Sequence, residues 1–442
     1  MPISEQHRFT PTSIVSISER FILCFTHETN PNMIKLFVLL VTLCCLAATA
    51  QSDSAVVKTG VDNLIDVQFD VLAGKNVVLV SHAAARSLSG RTTLQEMLRA
   101  GTVRILRVLA PEHGYDGITK AGVAVSDGVS DTIPVMSLYG KDRKPTLKHL
   151  QGADVVVIDL QDIGTRSYTY VSTMIEVLQS CAENGIPVII LDRPNPLGGE
   201  DVDGAIPEGN YQSFVCRIPV PYIHGLTLGE IAGMANKLGW LGKLSNGFPK
   251  TCSLTVVRCK GWSRSDTWRK TMLAWYPTSP NIPTSESATY YPFLGLLGEL
   301  GWCSIGIGTT MPFAVFGAPW MVRDTIIEHR MKRYGILLRY GRFVPQTGMY
   351  KDQVCNGYHI ARAPGAAYRP FTAAMMLISR LRSTYPDHTA SVPSPQSLFV
   401  RACGSEKYLD VFKRQMSVTD IESLSESGVA DFIILRTAFL LY

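Results

Sequence analysis

Four short clusters in this chain bring acids, bases and amides together at the ends of apolar runs. The first is VLAPEHGYDG at 108–117, where a hydrophobic segment stops at Pro111 and presents Glu112 beside His113. DLQDIGTRSYTY at 159–170 carries Asp159, Asp162, Arg166, Tyr168 and Tyr170, and LDRPNPLGG at 191–199 carries Asp192, Arg193 and Asn195. The fourth ends strand KNVVLVSHAAA and holds His82; apart from these four, PYIHGLTLGE carries His224 and Glu230. A carboxyl at the rim of an apolar sheet is partly desolvated, which raises its pKa toward the range of a working general acid. Paired carboxylates are what glycoside cleavage uses, one to protonate the leaving oxygen and a second group as base, nucleophile or charge stabiliser. Glu112 is the candidate acid, with His113 beside it, and Asp162, Asp192 and His224 are three candidates for the second role. Each has an ordinary alternative: a salt bridge, a helix cap or a satisfied core histidine. Arg166 or Arg193 could make a fork to a substrate carboxylate. Tyr168, or Trp275 with Asn281 in the proline-punctuated loop WYPTSPNIPT, could meet a sugar, although buried aromatics are more often core. In TLGE, Thr227 and Glu230 have capping-box spacing, so Glu230 is expected to be structural.

The elements that would hold these clusters are legible in the periodicity. VVLV, VVVID and VIILD are apolar on both faces, as in a parallel sheet covered by helices on each side. Helical segments at 91–101 and 169–185 each close on a glycine. The expected architecture is α/β, a Rossmann-like doubly wound parallel sheet over 55–240, followed by a smaller α+β auxiliary domain over 241–442. Ligands bind such sheets at the carboxyl ends of the strands, where all four clusters fall. No G-x-G-x-x-G follows the first strand and no phosphate loop is present, so dinucleotide and nucleoside triphosphate chemistry lose their main support. GIGTTM at 306–311 reads as a turn.

Bulk properties narrow the class further. The 442 residues are 46% hydrophobic with a formal charge of +5 spread along the chain, which excludes a polyanion-binding patch and so nucleic acid as a partner. MIKLFVLLVTLCCLAATAQ has a charged head, an apolar run too short for a comfortable span and an Ala-x-Ala site, predicting a signal peptide at 33–50 and export to the periplasm or medium. Residues 1–32 read as an untranslated or disordered extension. The seven later cysteines form no C-x-x-C pair, arguing against zinc and against a disulfide scaffold, with Cys252 and Cys259 the one pair close enough to bridge.

PEHGYDG, SLYGKDRKPT, DLQDIGTRSYTY, LDRPNPLGG, HGLTLGE, WYPTSPNIPT and PFAVFGAPW, in this order, resemble the signature blocks of the NamZ-type exo-β-N-acetylmuramidases, the YbbC-like proteins. VCNGYHI, YRPF and the closing LLY extend the resemblance over nearly all of 55–442. It implies a Rossmann-like catalytic domain and a smaller auxiliary one, no metal or organic cofactor, and release of terminal non-reducing N-acetylmuramic acid from muropeptides or disaccharides of peptidoglycan. It makes Glu112 the leading catalytic residue. Many members carry E-G-T-N…G-R-G-T where this chain reads ELGWCSIGIGT, keeping Glu299 but placing Ile307 where arginine is common. A non-catalytic cell-wall binding protein is the alternative.

Overall fold

The computed structural model describes residues 56–413 and 416–442; the predicted extension and signal peptide lie outside them. Seven strands form the main sheet: β1 Asn76–Ser81, β2 Arg104–Ala110, β3 Gly128–Ser130, β4 Ile133–Ser137, β5 Val155–Asp159, β6 Val188–Leu191 and β7 Leu254–Val257. Their order is β3-β4-β2-β1-β5-β6-β7, all parallel except β3, which pairs antiparallel with β4 at the edge. The sheet is doubly wound, as its continuous apolar runs require. Val78 and Val80 face one core with the helices Thr169–Asn184 and Leu228–Lys237, while Val77 and Leu79 face the other with Gly60–Asp66 and Thr93–Ala100. Each such valine or leucine, fully buried, contributes about 1.5–3 kcal/mol.

β7 carries the sheet past residue 240. The remainder forms a small antiparallel sheet, β8 Val315–Ala318, β9 Ile336–Phe343 and β10 Cys355–Arg362 in the order β8-β10-β9, packed with the helices Ser285–Leu300 and Pro370–Thr384. The first of the two cores runs unbroken from the main sheet into these helices, so Val56–Tyr442 is one compact unit. The seven described cysteines are free thiols, Cys252 and Cys259 included, and six of them are buried. No helix among the described residues is long and apolar enough to cross a membrane.

Local chemistry sets the helix ends that matter for the site. Helix Thr169–Asn184 ends at Gly185 in the left-handed region (φ 66°), the conformation glycine adopts without a Cβ penalty. Thr227 caps Leu228–Lys237 in a full capping box with Glu230, as the TLGE spacing predicts.

Candidate active site

Strand register decides which clusters meet. Ser81 pairs with Asp159 across β1 and β5, bringing His82 alongside the segment that continues to Gln161 and Asp162. Ala110 pairs with Ser137 across β2 and β4, so Glu112 and Tyr139, each two residues on, leave the sheet side by side. β1 lies between β2 and β5, and the chain reverses its winding there, the place where open α/β sheets form a crevice.

Glu112 is buried, and both carboxylate oxygens are held. Oε1 accepts from the Gly122 N–H at 2.8 Å and Oε2 from the Thr169 hydroxyl at 2.6 Å, at the first turn of the helix that follows β5. His113 has a positive φ of 72°, and its Nδ1 lies 2.8 Å from the Thr119 carbonyl, which fixes the turn behind Glu112. Burial, then the charge of Glu112 and a hydrogen bond to it, push the Tyr139 phenol up to about 12.

Asp162 is also buried, and its charge bears on Tyr170 together with that of Glu112. Its Oδ2 accepts from the Gly164 N–H at 2.7 Å, while Oδ1 has no hydrogen-bond partner. Burial raises its pKa to about 7, two backbone hydrogen bonds notwithstanding. Around it run His82, Tyr170, Tyr168 and His113, with ring centroids 4.9, 4.8 and 6.5 Å apart in succession. His82 Nε2 accepts from the Gln161 N–H at 3.1 Å, so the proton is on Nδ1, facing the Tyr170 oxygen at 3.4 Å. Burial first, then the charges of Arg193 and His113, hold His82 down to about 3, keeping it neutral.

The WYPTSPNIPT loop roofs these tyrosines. Tyr168 donates to the Thr278 hydroxyl at 2.9 Å and Tyr170 to the Thr278 carbonyl at 2.7 Å. Both rings are interior, so Tyr168 is no stacking platform. Trp275 is half-buried, edge-on to Trp268 with centroids 5.0 Å apart, its Nε1 donating to the Ile282 carbonyl; Asn281 is partly exposed on the same loop. Gln161 and Arg193 border a cavity of about 290 Å³ with Arg86, Trp268 and Tyr276.

The other expected site residues are occupied elsewhere. Arg166 donates through Nη1 to the Ala205 and Val220 carbonyls and through Nη2 to those of Ala402 and Cys403, all within 2.9 Å. Arg193 forms a two-pronged pair with Asp159, at 2.5 and 2.9 Å, that also receives the Thr93 hydroxyl. Asp192 accepts four hydrogen bonds, from the Arg193 and Gly229 amides and from the Thr227 and Tyr442 hydroxyls. Asn195 spans the Leu197 amide and the Leu226 carbonyl. His224 accepts the Leu226 N–H and is held to about 3, burial being the main cause, so it stays neutral. Two residues that motif reading passed over belong to the site. Tyr139 is one; Tyr291, on Ser285–Leu300, is the other. Tyr291 is raised to about 12 by burial, then by the charges of Glu299, Glu112 and Asp162, against a hydrogen bond from Ser167. An exposed carboxylate, Glu299, thereby joins the two buried ones around one phenol.

Family models for the N-terminal and C-terminal domains of exo-β-N-acetylmuramidase NamZ match residues 77–286 and 289–442. This chain belongs to the NamZ family. It is 32% identical over 391 residues to the peptidoglycan β-N-acetylmuramidase NamZ of Bacillus subtilis (strain 168), covering 87% of this chain and 91% of that one. Among solved structures it resembles two DUF1343 family proteins of Bacteroides fragilis, at 34% identity with a TM-score of 0.78 and at 25% with 0.66. Each match covers 87% of this chain and 99% of the other. The NamZ models meet between residues 286 and 289, beyond β7, which leaves the whole parallel sheet and its roof loop in the N-terminal part.

Proposed function

We propose that the protein is an exo-β-N-acetylmuramidase that hydrolyses the terminal non-reducing N-acetylmuramyl residue of peptidoglycan fragments, with Glu112 as general acid. The observation that carries this reading is that two buried carboxyls of a NamZ-family sheet, Glu112 and Asp162, both bear on the same two phenols, those of Tyr170 and Tyr291. Glu112 has the support a catalytic carboxyl needs: an amide fixes one oxygen and a hydroxyl faces the other. The Thr169 hydroxyl can donate to the carboxylate or accept from the acid, so it accommodates both protonation states.

Asp162 takes the second role. Of the three candidates it alone keeps a carboxylate oxygen without a partner, whereas Asp192 is saturated and His224 is a neutral core residue. A base whose pKa lies near 7 combines a useful ionised fraction with proton affinity, which suits it to assist water or to balance positive charge at the sugar. The reading includes export, supported by the segment 33–50 of the sequence, and a part in cell-wall turnover, which follows from a peptidoglycan substrate.

The experiment is incubation of residues 51–442 with a chromogenic β-N-acetylmuraminide and the matching β-N-acetylglucosaminide. Release from the muraminide is expected, with Glu112→Gln keeping the fold and losing most turnover. Normal turnover in that variant removes Glu112 from the mechanism. Binding of muramyl ligands without any release by the wild-type chain favours a non-catalytic cell-wall binding protein.

A further inference from the structure

A muramyl residue differs from a glucosaminyl one by a lactyl ether that ends in a carboxylate, so a selective site wants a cation with donors to spare. Arg166 and Arg193 are spent on main-chain carbonyls and on Asp159. Arg86 gives Nε and Nη1 to the Ala83 and Gly90 carbonyls. Ile307, partly buried against the core, brings no charge. Arg143 is different. Its guanidinium lies 4.5 Å from the Phe214 ring centroid and 5.2 Å from that of Tyr139, and it has neither a carboxylate nor a carbonyl partner among the described residues. Two aromatic faces hold the cation while its N–H fork stays free.

Both aromatic mounts are tied to the elements that hold Glu112. Tyr139 leaves β4 beside Glu112, and its carbonyl accepts from the Val125 N–H at 3.2 Å, on the loop whose Gly122 binds Glu112 Oε1. The Phe214 carbonyl accepts from the Ser172 hydroxyl at 2.6 Å; Ser172 lies one helical turn after Thr169, which binds Glu112 Oε2. The two rings are themselves 6.0 Å apart. Arg143 is thus an exposed, unspent cation joined to the catalytic carboxyl through Tyr139, on mounts held by the same loop and helix that fix that carboxyl.

We propose that Arg143, mounted on Tyr139 and Phe214, receives the carboxylate of the terminal sugar and so sets the preference for a muramyl over a glucosaminyl residue. This rests on the hydrolase reading for the position of the sugar, but its recognition step is measurable without turnover. A planar fork can grip a carboxylate bidentately, and a hydrogen-bonded charge of this kind accounts for roughly 10- to 100-fold in affinity.

The test compares wild type, Arg143→Gln and Arg143→Lys, with KM and kcat on the chromogenic muraminide and calorimetric titration with free N-acetylmuramic acid and N-acetylglucosamine. Arg143→Gln is expected to raise KM for the muraminide about 10- to 100-fold with a much smaller change in kcat, to weaken binding of the acid sugar by the same factor, and to leave the neutral sugar alone. Lysine recovers part of the loss, and added salt erodes the wild-type preference because Arg143 is exposed. An unchanged KM and unchanged acid-sugar binding overturn the proposal, as does an equal loss for both sugars, which marks a wall of the cleft rather than a carboxylate receptor. If wild type releases neither chromophore, the hydrolase reading fails on its own; preferential binding of the acid sugar that Arg143→Gln abolishes still upholds the carboxylate site, and equal binding of the two sugars sinks it.

Discussion

Asp162 couples stability and chemistry in one side chain. Its folded pKa of about 7 stands above the ordinary aspartate value of 3.8, so the folded chain holds this proton more tightly than the unfolded one. The stability this confers is complete below 3.8 and is lost as pH rises through about 7, amounting to ~2–4 kcal/mol. Asp162→Asn keeps an acceptor for Gly164 and carries no charge to desolvate. Thermal unfolding should therefore find the variant more stable than wild type at pH 8 and no more stable at pH 4, and turnover should fall by a factor of about 10² or more. In wild type the rate should decline on the acid side of about 7, as the base becomes protonated; a rate flat from pH 8 to 5 would exclude Asp162 as base. The sequence exposed Asp162, Asp192 and His224 as equals, because each lies in a short polar cluster next to an apolar run. Which of the two carboxylates keeps an unspent oxygen depends on partners as distant as Tyr442, and no local pattern encodes that.

At the scale of elements, the helix Thr169–Asn184 begins where chemistry is needed. Its bounds follow from TYVSTMIEVLQSCAENG almost to the residue, since the apolar periodicity is strong and Gly185 stops it. Its first residue holds Glu112 and, one turn later, Ser172 holds Phe214. Thr169→Val preserves volume and removes the hydroxyl; the expected outcome is a near-native melting temperature with kcat lowered about 10-fold, and an unchanged kcat would leave Gly122 and Tyr139 as the groups that matter to the carboxyl. The central strands were equally legible. β3 and β4 were not: SDGVSDTIPVMS is broken by glycine, aspartate and proline, the composition of a solvated edge, and only its pairing with β2 makes it sheet. Tyr139 and Arg143 lie just beyond that unread edge, which is why the block SLYGKDRKPT served as a family mark before its chemistry was visible.

Across the whole molecule, the residues expected to touch substrate often bind the protein to itself instead. Arg166 reaches from the β5 loop to Ala402 and Cys403, and Asp192 reaches from the end of β6 to Tyr442. Such contacts bridge hundreds of positions, so their purpose is invisible to spacing. The Tyr442 hydroxyl donates to Asp192 at 2.7 Å and accepts from the Cys259 N–H at 2.9 Å, with its ring edge-on to Trp262 at 5.0 Å. Tyr442→Phe should lower unfolding free energy by about 1–3 kcal/mol in denaturant titration and leave kcat of the folded enzyme intact. Because the clasp spans 250 residues, the rim of β6, laid down early in translation, is completed only when position 442 has left the ribosome. Until then Asp192 is short of one of its four donors, and a nascent chain that has already formed its parallel sheet still lacks its latch.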